Sequence, residues 1–81
     1  MMLNQERLNR IRWRSRRGML ENDLVLTRFL DGKGALMTEA EVAMLDRLLD
    51  LSDNDLWDLI AGRREPYDAT VVPLLEQLRA A

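Results

Sequence analysis

Apolar residues recur along this chain at helical spacing, and the alternation that a half-buried strand requires is missing. Leu8, Ile11 and Ser15 fall at i, i+3 and i+7, an inner stripe predicting a first helix from about Asn4, a good N-cap, to Ser15. Leu20, Leu24, Leu26, Phe29 and Leu30 supply the apolar contacts of a second helix over roughly Met19 to Leu30. It is expected to stop before "DGKG", where Gly32 and Gly34 offer the positive φ angles of a turn. A third helix opens with the capping box Thr38-Glu39-Ala40-Glu41 and buries Val42, Leu45, Leu48 and Leu49, with Glu39, Asp46 and Asp50 on its opposite face. A fourth starts at Ser52, carries Asp53 and Asp55 in its first turn, buries Leu56, Leu59 and Ile60, and ends at Gly62. Val71, Leu74, Leu75 and Leu78 mark a fifth, with Thr70 as N-cap and Pro73 in the first turn, where its missing N–H breaks nothing. The expected fold is all-α, a compact bundle of five short helices forming a single domain over residues 1–81.

Composition narrows the chemistry. The chain has no cysteine, which excludes disulfides and cysteine-built zinc sites. It has no histidine, which removes the commonest metal ligand, the usual general base near neutral pH and every imidazole-dependent triad. No apolar run is long enough to span a bilayer and no signal-peptide core is present, so a cytoplasmic protein without membrane insertion is expected. The net charge of −2 hides an asymmetry. Residues 1–17 hold six arginines against Glu6 alone, while the remainder holds six basic and thirteen acidic residues. Opposite signs on two parts of one chain predict a polarised surface with a preferred partner side.

The charge reversal is sharpest in "RSRRGMLEND", residues 14–23. A nucleic-acid interface there would need aromatic platforms and a basic surround. Trp13 is the only aromatic nearby and the molecule is acidic, so no nucleic-acid partner is expected. If the second helix begins at or before Arg17, then Arg17, Glu21 and Arg28 share one face as an exposed polar ridge. An ordinary ion pair leaves Gly18 unexplained. Glycine there fits a junction of unusual φ, or the close approach of another backbone, and a partner pressed against Gly18 satisfies both neighbours. Trp13 lies off the Leu8–Ile11 stripe and is expected to be half exposed, as an interface aromatic would be. Trp57 reads as core or core edge. Asp53 and Asp55 read as helix-capping charges, since no calcium-loop spacing surrounds them.

These residues carry a resemblance. "RIRWRSRRGMLENDLVL", residues 10–26, resembles the signature region of the SdhE family of flavinylation, or succinate dehydrogenase assembly, factors. Arg10, Ile11, Trp13, Arg16, Arg17, Gly18, Met19, Glu21 and Asp23 fill the pattern around the family's Arg-Gly-x-x-Glu core, and "SDNDLWDLIAG" is similar to its Asp-x-Asp-Leu-aromatic segment. The resemblance implies a five-helix chaperone that binds the flavoprotein subunit of succinate dehydrogenase or fumarate reductase. It implies that the chain promotes covalent attachment of FAD to a histidine of that subunit, an autocatalytic reaction of the partner. No tightly bound cofactor is then expected in this chain, because FAD belongs to the partner, and the chain is not an enzyme. The implied partner-binding face is Arg10, Trp13, Arg16, Arg17, Gly18, Met19, Glu21 and Asp23, on a monomer or weak dimer. Family members have also been described as antitoxins of a membrane-associated toxin, so the alternative is a regulatory protein-binding module using the same face.

Overall fold

Side-chain caps fix three of the five helix starts. In the computed structural model, which describes residues 4–81, Asn4 accepts the Arg7 N–H and opens α1 (Gln5–Arg14). The expected domain span also includes residues 1–3, which lie outside the described residues. Thr38 and Glu41 form the reciprocal capping box of α3 (Glu39–Leu49), and the Ser52 hydroxyl accepts from Asp55 to open α4 (Asp53–Ile60). Gly62 ends that helix at φ 78°, the left-handed conformation in which glycine meets no Cβ penalty. The described residues contain no strand.

The other two boundaries depart from expectation. α2 runs from Leu20 to Lys33, through Gly32, and passes into a 3-10 turn over Gly34–Leu36 without any positive φ. The requirement at Gly34 is packing: a Cβ there would lie 3.0 Å from Leu8 Cδ1 and 3.3 Å from Leu30 Cδ2, so the missing side chain lets α1 approach. At the C-terminal end, Asp68 rather than Thr70 does the capping. Its carboxylate accepts the Thr70 N–H and opens a 3-10 turn, Ala69–Val71, that leads into α5 (Val72–Ala80). Pro73 stands in the first turn of α5, as its geometry requires.

α5 is the central packing element: it meets α2, α3 and α4, and its Leu74, Leu75 and Leu78 are fully buried. Leu26, Phe29 and Leu30 of α2, Leu45 and Leu48 of α3, and Leu56 and Leu59 of α4 close the core with Leu8 and Ile11 of α1. Each such burial contributes roughly 1.5–3 kcal/mol of transfer free energy. Trp57 packs against the core edge. Leu20 and Leu24, expected inside, are exposed because the buried stripe of α2 is Asn22, Leu26, Phe29 and Leu30.

Charge is also arranged differently from a polarised surface. The arginines of α1 meet the acidic face of α3: Arg7 pairs with Glu39, and Arg14 with Asp46 and, at 3.2 Å, Asp50. Arg12 reaches Asp31 at the end of α2 at 2.8 Å. The asymmetry along the chain is thus largely neutralised within the molecule, where it ties α1 to its neighbours.

Candidate functional site

α1 ends at Ser15, whose buried hydroxyl turns inward to donate to the Ile11 carbonyl, 2.7 Å away. Residues 16–19 then cross to α2 as a non-helical turn. Arg17 therefore does not lie on the α2 helix, and the predicted ridge of Arg17, Glu21 and Arg28 does not form. The Arg17 guanidinium points into the molecule, with its side chain 13% exposed. Nε donates to Asp53 Oδ1 at 2.8 Å, and the two terminal nitrogens donate to the Leu49 and Leu51 carbonyls at 2.9 and 2.5 Å. The Leu49 carbonyl ends α3, where a helix leaves acceptors unsatisfied and a cation is favourable, and Leu51 lies in the link to α4.

Asp53, the first residue of α4, is the hub of the turn. Besides Arg17 Nε it accepts the Met19 N–H through Oδ2 at 3.2 Å and Asn22 Nδ2 through Oδ1 at 3.3 Å. The Arg17 hydrogen bond above all, with Asn22 and the Met19 N–H, holds its carboxyl below the usual range. Asn22, fully buried, also donates to the Asp53 carbonyl at 2.9 Å, and its own Oδ1 has no protein partner. Asp23 completes the frame by accepting the Arg17 N–H at 3.4 Å.

The sequence-predicted residues therefore divide into two groups. Arg17, Met19 and Asp23 hold the turn, with Asp53 and Asn22 as partners that sequence reasoning does not assign to the site. Trp13, 74% exposed, and Arg16, Gly18 and Glu21 face solvent. Arg10, one turn before Trp13, pairs with Glu6 at 3.4 Å and lines with Trp13 a shallow groove of about 430 Å³ on the outer side of α1. Leu20 and Leu24, 64% and 47% exposed, add an apolar strip beside Glu21. A sequence signal for them exists: they stand four residues apart, on the side of the helix opposite the Asn22–Leu26 stripe. Asp53 is marked in the sequence only as the first Asp of the Asp-x-Asp-Leu-aromatic segment, and its pairing with Arg17, thirty-six residues away, is not legible from local spacing.

Gly18 is exposed, does not take a positive φ, and a Cβ there would meet only Asp53 Oδ2 at an ordinary 3.5 Å. Neither backbone conformation nor internal packing requires glycine at this position. The arrangement offers shape, an aromatic and aliphatic surface, and charge. Among the described residues no group of three or more acidic side chains comes together as a metal would need. No helix among them is long and apolar enough to cross a membrane.

Comparison with known proteins bears on the whole of this region. Residues 9–81 match the family Sdh5, described as the flavinator of succinate dehydrogenase. The FAD assembly factor SdhE of Ralstonia nicotianae is 44% identical over 75 residues, covering 88% of this chain and 79% of that protein. Its namesake in Xylella fastidiosa is 41% identical over 73 residues, covering 90% and 75%. That of Methylococcus capsulatus is 39% identical over 71 residues, covering 88% and 86%.

Proposed function

The chain belongs to the family of succinate dehydrogenase flavinators, and on that premise we propose that it binds a flavoprotein subunit and promotes covalent attachment of FAD there. The flavoprotein is that of succinate dehydrogenase or of the related fumarate reductase, met in the cytoplasm. FAD remains the partner's cofactor and the partner's own groups carry out the bond formation. The chain acts as a chaperone, by docking.

Gly18 is the observation that carries the docking face. A glycine that the fold itself does not need, exposed on a hydrogen-bonded turn with exposed Trp13, Arg16, Leu20 and Glu21 close by in sequence, fits close contact with another molecule's backbone. The exposed aromatic and leucines provide apolar area, while Arg16, Glu21 and Arg10 supply polar contacts at its margin. Docking stabilises the flavoprotein conformer in which the acceptor histidine and the flavin are held in reactive geometry, a population shift combined with positioning.

The test is coexpression with a succinate dehydrogenase flavoprotein, followed by in-gel flavin fluorescence after denaturation. The native chain is expected to raise covalent flavin well above the flavoprotein alone. Gly18→Arg is expected to leave the free chain folded and return the signal to background. Failure of the native chain to raise the signal overturns the proposed activity.

A further inference from the structure

We infer that Asp53 is a positioning residue for partner docking: from the first turn of α4 it holds the Arg17–Met19 turn in the shape that presents Gly18. The inference rests on the docking reading above and extends it to a residue outside the docking surface. Asp53 is bonded to three separate points of the segment, the Arg17 guanidinium, the Met19 N–H and the Asn22 amide. These bracket Gly18 on both sides. The same Arg17 that Asp53 holds is also bound to the Leu49 and Leu51 carbonyls, so the turn is fastened to the junction of α3 and α4.

Both carboxylate oxygens are needed. Oδ1 faces Arg17 Nε and Oδ2 faces the Met19 N–H, so each oxygen meets a donor. An amide of the same shape has one acceptor oxygen and one NH2 group. Whichever way Asn is turned, one donor of the turn faces another donor. Loosening the turn leaves the docking surface intact in composition and spreads it over several conformers. Apparent affinity then falls in proportion to the share that remains competent to dock.

Asp53→Asn tests this, with Asp55→Asn as its control. Asp55 lies in the same first turn of α4, bears the same charge near the helix N-terminus, and pairs outward with Arg64 at 3.2 Å. Both variants remove one helix-end charge, and only Asp53→Asn releases the turn. Titration of each full-length variant onto the purified flavoprotein subunit is expected to show about a tenfold loss of affinity for Asp53→Asn, as a fall of the docking-competent share to one-tenth requires. Asp55→Asn is expected to bind like the native chain, and each variant is titrated well below its own thermal midpoint, which is expected to be lower for Asp53→Asn because the Arg17 ion pair is lost. In the free chain, solvent exchange of the Arg17 amide, which bonds to Asp23 and not to Asp53, is expected to accelerate only in Asp53→Asn. Equal affinity and equal exchange for the two variants overturn the role of Asp53. Gly18→Arg, run alongside, separates the two failures. Its normal binding overturns the docking face itself, whereas its loss of binding beside an Asp53→Asn that matches Asp55→Asn overturns the positioning role alone.

Discussion

Gly32 and Gly34 stand two positions apart at the end of α2 and answer to opposite constraints. A Cβ at Gly32 would meet nothing within 4 Å, whereas one at Gly34 would press on Leu8 and Leu30. Gly32→Ala is therefore expected to stabilise the chain by roughly 0.5–1 kcal/mol, because it lowers the entropy of the unfolded state inside a helix. Gly34→Val is expected to destabilise it by about 1–3 kcal/mol through overpacking. Denaturant midpoints of the two variants, moving in opposite directions, would check the pair. Spacing alone makes both of them turn residues. An absent side chain is visible in a sequence, but the group that takes up its space is not, and here that group is Leu8 from another helix. Gly18 differs from both: a Cβ there would meet Asp53 Oδ2 at an ordinary 3.5 Å, so neither packing nor a positive φ requires glycine in the turn.

Elements whose limits depend on residues three apart are legible in the amino-acid order itself. Asn4, Thr38 and Ser52 each cap a helix where the sequence places one, because the accepting cap and the backbone N–H that donates to it lie within one turn. Thr38→Ala removes the hydroxyl half of the capping box and is expected to lower stability by about 1 kcal/mol, read as a shift of the denaturant midpoint at unchanged slope. The boundaries that fall elsewhere than expected depend on contacts between helices. α2 runs past its expected end because the α1 contact at Gly34 holds the chain helical there, and the Asp68 cap is held by Arg47 of α3, 3.0 Å away. Core periodicity identifies the buried faces of α3, α4 and α5. In α2 it counts leucines on two faces, and the excess leucines are surface. The site is half legible for a related reason: its local motif announces Trp13, Gly18 and Glu21, while the support from α4 arrives through tertiary folding.

At the scale of the whole molecule, ionic contacts set the response to pH. Four carboxyls are held below their usual range: Glu39 by Arg7, Glu41 by the Thr38 N–H, Asp53 by Arg17 and Asp68 by the Thr70 hydroxyl. An unfolded chain takes up protons at these groups at higher pH than the folded one. Their stabilisation is therefore complete above the unfolded values, near 4, and is lost as pH falls through the lower folded values. With no histidine in the sequence, the thermal midpoint is expected to be level from about pH 5.5 to 8 and to fall below roughly pH 4.5, measured by calorimetry across that range. The two tryptophans add a practical consequence. Trp57 sits against the core, while Trp13 stands in solvent near the end of α1, just before the turn of residues 16–19. The native polypeptide thus carries its own optical label on the face proposed for docking. With Trp57 replaced by phenylalanine, the emission colour of a single indole would report complex formation in real time, without any dye.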